Sequence, residues 1–253
     1  MVEHDFHGRQ RMRIARVPLA LALLLSPLAC GRALAQMDPH HHHEMMAPAP
    51  AAAASPVSPA TPIDHSTHNH GVGPAGSTYD LRWLDGMVQH HTDALQMSTY
   101  VFDIGVPGVG SLGKEIWREQ AQEVKVMEQW RKAWYPEAPV YPVALKPGGD
   151  PNALSDLIRI SPDQIEPMQL VASTPTRDNR VTWFLEGMLQ HHGGALIMAH
   201  DALKKSNNPT ILRLARDIII AQRKEIIRIR GMLQHDGLNK SEYYAYDTLF
   251  SPN

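Results

Sequence analysis

The sequence predicts an all-α fold, a four-helix bundle built from two repeated helical hairpins behind a disordered N-terminal arm. Three observations carry this. The stretch Leu84-Asp85-Gly86-Met87-Val88-Gln89-His90-His91-Thr92-Asp93-Ala94-Leu95-Gln96-Met97 returns 101 residues later, beginning at Leu185-Glu186-Gly187-Met188 and ending at Met198, with nine of its fourteen positions identical. A second motif, Ile116…Gln120-x-x-Glu123-Val124-x-x-Met127, returns as Ile218…Gln222-x-x-Glu225-Ile226-x-x-Ile229 at an offset of 102. Both motifs place their apolar residues at helical spacing. A single hairpin cannot bury its apolar stripe, so the two pair.

Each segment follows from local chemistry. Residues 1–35 read as a secretory signal peptide: Arg9, Arg11, Arg13 and Arg16 form a basic start, Val17 to Leu28 an apolar run too short to span a bilayer, and Ala33-Leu34-Ala35 a cleavage site. The chain is therefore expected in the periplasm or outside the cell. Cys30, the one cysteine, lies within this leader. A lipid anchor there is the alternative, but Pro27 and Leu28 fit a lipobox poorly. The leader takes five arginines and two acids with it, leaving 19 basic residues against 24 acidic ones and a formal net charge of −5. That balance gives no footprint for nucleic acid, and no later segment is a transmembrane candidate.

Residues 36–76 are rich in Ala, Pro, Ser, Gly and His and cannot bury enough apolar surface to offset ordering, so disorder is predicted. This arm nevertheless carries Met37, His40, His41, His42, His43, Met45, Met46, His65, His68 and His70, a metal-binding composition. The bundle is expected over residues 77–235, with hairpins 77–134 and 178–235. Ser77 or Thr78 caps a first helix to about Asp103, and a second runs from Ser111 to about Trp134. Six prolines and glycines between Pro136 and Gly149 open a connector over 135–177, in which Ser161-Pro162 starts a short helix to about Val171. A third long helix spans Asp178 to Lys205, and Asn208-Pro209 starts a fourth that ends near His235. The tail, 236–253, is aromatic and either packs on the bundle or stays loose.

A helix advances about 100° per residue. From Met87, the residues Trp83, His90, His91, Ala94, Met97 and Val101 fall on one face, which also holds Leu84 and Leu95. The same arithmetic turns Met188, His191, His192, Ala195 and Met198 inward on the third helix. It puts Gln120 and Glu123, and Gln222 and Glu225, on the apolar stripes of the second and fourth. Each hairpin thus aims two imidazoles, an amide and a carboxylate at an apolar interior, where unpartnered polar groups cost a few kcal/mol. Neutral imidazole is the commonest metal ligand, and a carboxylate on its other nitrogen fixes its orientation. Glu123 and Glu225 are placed for that role, or to ligate directly. A buried His–Glu–Gln network that only sets helix register, with methionines filling gaps, is the competing reading. Met127, Met168 and Met232 read as core, and His200 and His235 as surface residues.

No Glu-x-x-His occurs in the chain, which argues against a ferritin-type oxidase. Gly-x-Ser-x-Gly, phosphate-cradling glycine loops and His-Glu-x-x-His are absent as well.

The pattern Gly-Met-x-x-His-His-x-x-Ala-Leu-x-Met followed by Gln-x-x-Glu-[Val/Ile] resembles the exported family catalogued as domain of unknown function 305, which includes CopM-type copper-binding proteins. The resemblance covers about residues 78–235 apart from the connector. It implies a ferritin-like bundle outside the cytoplasm that binds copper, with silver as a further cation. Carried over, it marks Met87, His90, His91, Met97, Met188, His191, His192 and Met198, with Gln120, Glu123, Gln222 and Glu225. The sequence departs from the family in three places. Gln89 and Gln190 stand where a proline precedes the His pair, Ile229 replaces a methionine, and the connector is long. The expected function is copper sequestration, homeostasis or resistance, with exported copper-handling proteins as partners and zinc or another divalent ion as a second cargo for the arm. The alternatives are a redox enzyme with a copper or iron site and a bundle that carries no metal.

Overall fold

The computed structural model describes residues 70–138, 140–165 and 174–253. The leader, Met168 and the arm residues up to His68 lie outside them, as does the expected extension of the short connector helix to Val171. In chain order the elements are α1 (Tyr79–Thr99), α2 (Val109–Trp134), β1 (Val143–Leu145), β2 (Leu157–Arg159), α3 (Pro162–Ile165), α4 (Arg180–Lys205) and α5 (Pro209–His235). The four long helices make the bundle. Among the described residues no helix is long and apolar enough to cross a membrane.

Helices α1 and α4 form the inner pair, with α2 laid on α1 and α5 on α4. Cross-links fix α1 and α4 as antiparallel. The Trp83 indole donates to the Met198 carbonyl at 2.9 Å, and the Tyr79 hydroxyl donates to Asp201 Oδ2 at 2.9 Å. The core between them is continuous from Tyr79, Trp83 and Leu84 to Phe184, Leu185 and Ile218, all nearly or wholly removed from solvent.

Helix ends depart from the sequence expectation in two places. Thr78 occupies the N-cap position of α1 but does not cap it. Its hydroxyl donates to the Pro151 carbonyl at 2.7 Å, tying the connector to the start of the helix. Helix α1 also stops at Thr99, short of Asp103. The chain continues in tight turns, with Tyr100 and Val101 amides donating to Met97 and Ser98 carbonyls at 3.2 Å. This tightening drives the Val101 side chain into the core. At α5 the expected start holds: Asn208 Oδ1 accepts from the Thr210 amide at 2.9 Å, and Pro209 takes the first helical position.

The connector and the tail turn out to be equivalent braces. β1 and β2 pair antiparallel, Ala144 opposite Ile158, and cover Leu81 with Val143 and Leu157. Asp85 holds this hairpin, accepting from the Val143 amide at 3.0 Å and from Arg131 Nε at 2.9 Å. Its repeat counterpart Glu186 accepts from Lys240 at 2.7 Å and from the Tyr243 hydroxyl, and so pins the tail. One turn further on, Gln89 donates to the Tyr141 hydroxyl at 3.2 Å, and the Tyr246 hydroxyl donates to Gln190 Oε1 at 2.7 Å. The residues that replace the family's proline are thus used to close the segment following each hairpin. The tail is packed, its Leu249 and Phe250 lying against the core. His200, expected at the surface, is half-buried because its Nε2 donates to the Leu249 carbonyl at 2.9 Å.

Asp85 is 1% exposed, and burial pushes its carboxyl up to about 6 although Arg131 pulls the other way. Replacing Asp85 with Ala leaves the buried Val143 amide without an acceptor, so the bundle should lose about 1–3 kcal/mol. Urea unfolding at pH 7.5 measures this. An unchanged midpoint would show that the connector does not brace the first hairpin.

Candidate metal centre

The centre lies where α1 and α4 cross. His90 and His191 occupy the same repeat position on the two helices, and their rings meet there with centroids 3.8 Å apart and planes inclined by 37°. His91 flanks His90 at 6.2 Å and His192 flanks His191 at 6.0 Å, again between ring centroids. All four rings are completely removed from solvent. The helical period produces this: adjacent residues on a helix diverge by about 100°. The first histidine of each pair therefore faces the inner partner, and the second turns toward the outer helix.

Hydrogen bonding sets the tautomers of His91 and His191. His91 Nε2 lies 2.7 Å from Glu123 Oε2 on α2, and a carboxylate can only accept, so Nε2 carries the hydrogen. His191 Nε2 lies 2.7 Å from the His90 carbonyl, which likewise only accepts. His192 Nε2 lies 2.7 Å from Glu225 Oε2 on α5, without hydrogen-bond geometry. In a neutral ring with Nε2 protonated, Nδ1 keeps its lone pair. The Nδ1 atoms of His90, His91, His191 and His192 are all buried, and none has a hydrogen-bond partner among the described residues. His90 and His192 have no hydrogen bond on either nitrogen, so each of the four neutral rings keeps one lone pair outside any hydrogen bond, a donor set that fits a metal ion. A carboxylate behind the imidazole is the usual way to orient such a ligand and raise its basicity.

The thioethers and amides surround this crossing. Met87, Met97, Met188 and Met198 are at most 1% exposed. Met87 and Met188 sit one turn before the histidines of their own helices. Met97 and Met198 reach across: a Cβ built on Gly187 would stand 2.7 Å from Met97 Cε, and one on Gly86 would stand 3.5 Å from Met198 Cε. Gly187 therefore makes room for Met97 of the opposite half, while Met198 meets Gly86 at ordinary contact distance. Gln120 and Gln222 are 3% and 2% exposed, and no atom of either amide has a partner among the described residues. Glu123 and Glu225 keep side-chain exposures of 24% and 15%, so each links a buried imidazole to the surface. Glu119 stands on the same rim. Burial and the neighbouring Glu225 carboxylate hold it above the usual glutamate value.

Among the described residues no three His, Cys, Asp or Glu side chains are already gathered in a metal-ligating arrangement. Of the arm residues singled out in the sequence, His40, His41, His42, His43, Met45, Met46, His65 and His68 fall outside the described residues. His70 falls within them, and not as part of a loose arm: its ring lies edge-on to His90 with centroids 5.6 Å apart.

Two features escaped sequence reasoning. Tyr141 and Tyr246 close the outer ends of the His-bearing turns; the aromatic tail hints at packing, but neither spacing nor composition singles out these two tyrosines. Gly193 and Gly194, where the first repeat has Thr92 and Asp93, admit neighbours. A Cβ on Gly193 would strike the Tyr246 ring at 2.2 Å, and one on Gly194 would lie 2.5 Å from His70 Cε1. Their signal was legible: two consecutive glycines inside a helix cost about 1 kcal/mol each relative to alanine, which marks close approach.

Burial, reinforced by the other imidazoles, holds His90 and His191 well below the ordinary histidine value. Unfolded, both rings titrate near 6.5. Below that pH the unfolded chain binds more protons than the native one, so stability falls as pH falls, by up to about 1.4 kcal/mol per pH unit for each ring. Chelator-treated protein should therefore lose urea resistance between pH 7.5 and pH 5.5. Replacing His191 with Gln should flatten that slope by about one proton. A wild-type profile flat across this window would contradict neutral burial.

Comparison with known proteins follows from these motifs. The model of the family described as domain of unknown function (DUF305) matches residues 80–233 and 181–247. No curated protein matches the chain. Solved structures similar to it include CopM in the Cu(I)-bound form, 25% identical, with a TM-score of 0.45 over 62% of this chain and 96% of that one. A DUF305 fragment from Deinococcus radiodurans is 26% identical, with a TM-score of 0.46 over 64% of this chain and 99% of that one. A DUF305 protein from Streptomyces coelicolor is 22% identical, with a TM-score of 0.48 over 64% of this chain and 94% of that one. The family match runs from the first turn of α1 almost to the end of α5, across both copies of the histidine motif, and the chain belongs to the DUF305 family.

Proposed function

We propose that the bundle binds copper ions as cargo, outside the cytoplasm, for sequestration or transfer to a partner. The observation that carries this reading is four buried imidazoles near the α1/α4 crossing, each with at least one ring nitrogen outside any hydrogen bond. Leaving several polar atoms buried and unpaired costs a few kcal/mol each, and a cation that accepts imidazole nitrogen removes that cost.

The donor types select the ion. Cys30 lies in the leader, so the bundle offers only imidazole, thioether, carboxylate and amide. Thioethers favour Cu(I), and imidazoles serve both Cu(I) and Cu(II). Met97 and Met198 cross between the two halves, so either half can draw thioether donors from both helices. Glu123 and Glu225 hold the rings of His91 and His192, and their negative charge offsets that of an entering cation. The resemblance of the repeated motif to exported copper-binding proteins points the same way, as does the leader. The arm, with its histidines and methionines, suits initial capture of copper or of zinc.

A network that only sets helix register accounts less well for the amides. Such a network is stabilising when each member is satisfied, whereas both ends of Gln120 and Gln222 are unused.

The test uses the full mature chain with His40, His41, His42, His43, His65 and His68 replaced by alanine, so that the arm does not mask the bundle. Anaerobic Cu(I) titration against a chromophoric chelator should show tight binding. Replacing His90, His91, His191 and His192 together with alanine should abolish it. The Glu123→Gln and Glu225→Gln variants should each weaken it by about 10–100-fold. Unchanged stoichiometry and affinity in the fourfold variant would refute the reading.

A further inference from the structure

The two halves of the centre are not equivalent, and the difference lies in a notch. In the first half the repeat reads Thr92-Asp93, and in the second Gly193-Gly194. The His70 ring fills the space that a side chain at 194 would occupy. A Cβ there would stand 2.5 Å from Cε1, 2.8 Å from Nε2 and 3.0 Å from Nδ1. From this notch the ring reaches His90 edge-on, at 5.6 Å between centroids, beside the face that His90 turns to His191.

The position is enforced by a buried cation. Arg82 is 1% exposed, and a buried guanidinium must be fully engaged. It donates to the Pro74 carbonyl at 2.7 Å, to the Val72 carbonyl and, through Nε, to Thr78 Oγ1 at 3.1 Å. Lys205 adds a bond to the Gly73 carbonyl at 2.9 Å, and the Val72 side chain packs over Gly86. Residues 72–74 are thus strapped across α1, and His70 is the next side chain with chemistry before the strap. The second half has no such anchor, because the repeat counterpart of Arg82 is Trp183.

We propose that His70 is a fifth imidazole ligand of the buried copper centre, delivered by the end of the arm into a notch that only the second repeat provides. This rests on the reading of the bundle as a copper site. It makes the two halves of the centre unequal, because only one of them admits an imidazole from the arm. It also sets a route inward. His68 and His65 lie two and five residues before His70, so even an extended chain separates them from it by about 7 and 18 Å. An ion held by those histidines is a short exchange away from the crossing.

The test again uses the full mature chain with His40, His41, His42, His43, His65 and His68 replaced by alanine, titrated anaerobically with Cu(I) against a chromophoric chelator. His70→Gln should weaken the tightest site by 10-fold or more. His70→Met, which restores a soft donor of similar length, should recover most of that loss, as mere filling of the notch would not. Gly194→Ala should reproduce the loss by evicting the ring, while its urea midpoint stays at or above wild type because alanine favours a helix. If His70→Gln and Gly194→Ala bind like the parent while His90→Ala binds weakly, His70 is no ligand and the copper site stands without it. If none of the three alters binding, or the parent takes up no Cu(I), the copper reading itself falls and this inference with it.

Discussion

Two imidazole rings pressed together at the crossing of two antiparallel helices constrain most of this molecule. His90 and His191 meet in a place with no water to solvate them, so each must be neutral and each must be held. Their neighbours do the holding. The His90 carbonyl fixes one ring of the other half, Glu123 and Glu225 brace the rings behind, and Gly187 leaves room for Met97 to cross from the opposite inner helix. Apolar packing alone would favour leucine at these positions. The chain instead retains polar atoms at its centre and leaves their lone pairs available.

The duplicated plan extends past the helices. An acid at the same repeat position, Asp85 or Glu186, grips the segment that follows its hairpin, and a glutamine one turn on meets a tyrosine of that segment. One segment is a small β-hairpin and the other a pair of short helical turns, so two unrelated local structures do the same job. Each covers the outer side of a His-bearing turn. Among the places where the repeats differ are Thr92-Asp93 against Gly193-Gly194, and Arg82 against Trp183. Both differences favour the same event, the seating of the arm's end in one half.

Much of this was legible in the sequence because helical period converts spacing directly into facing. The positions 87, 90, 91, 94 and 97 share a stripe whatever the surrounding fold, and the repeat doubles the information. Glu123 and Glu225 were legible for the same reason, falling one turn past a buried glutamine. Tertiary choices were harder to read. Thr78 has the chemistry of a cap, yet its hydroxyl finds a better acceptor at Pro151, seventy-three residues away. The connector's two strands are only three residues each, too short for alternation to show, and they exist because Asp85 and Leu81 give them a surface. His70 belongs by composition to the arm; only the juxtaposition of Arg82, the carbonyls before it and a side-chain-free Gly194 places it at the centre.

The exchange of methionines across the inner helices has a consequence for durability. Met97 Cε rests over Gly187 and Met198 Cε over Gly86, and both side chains are at most 1% exposed. Oxidation of a thioether attaches a polar oxygen to sulfur. Here that oxygen would have to be housed in the buried seam between the two inner helices. The same sulfurs that suit a soft cation are the places where peroxide would prise the halves apart. Their seclusion therefore protects the fold, and a sulfoxide reductase could reach them only after the seam had opened.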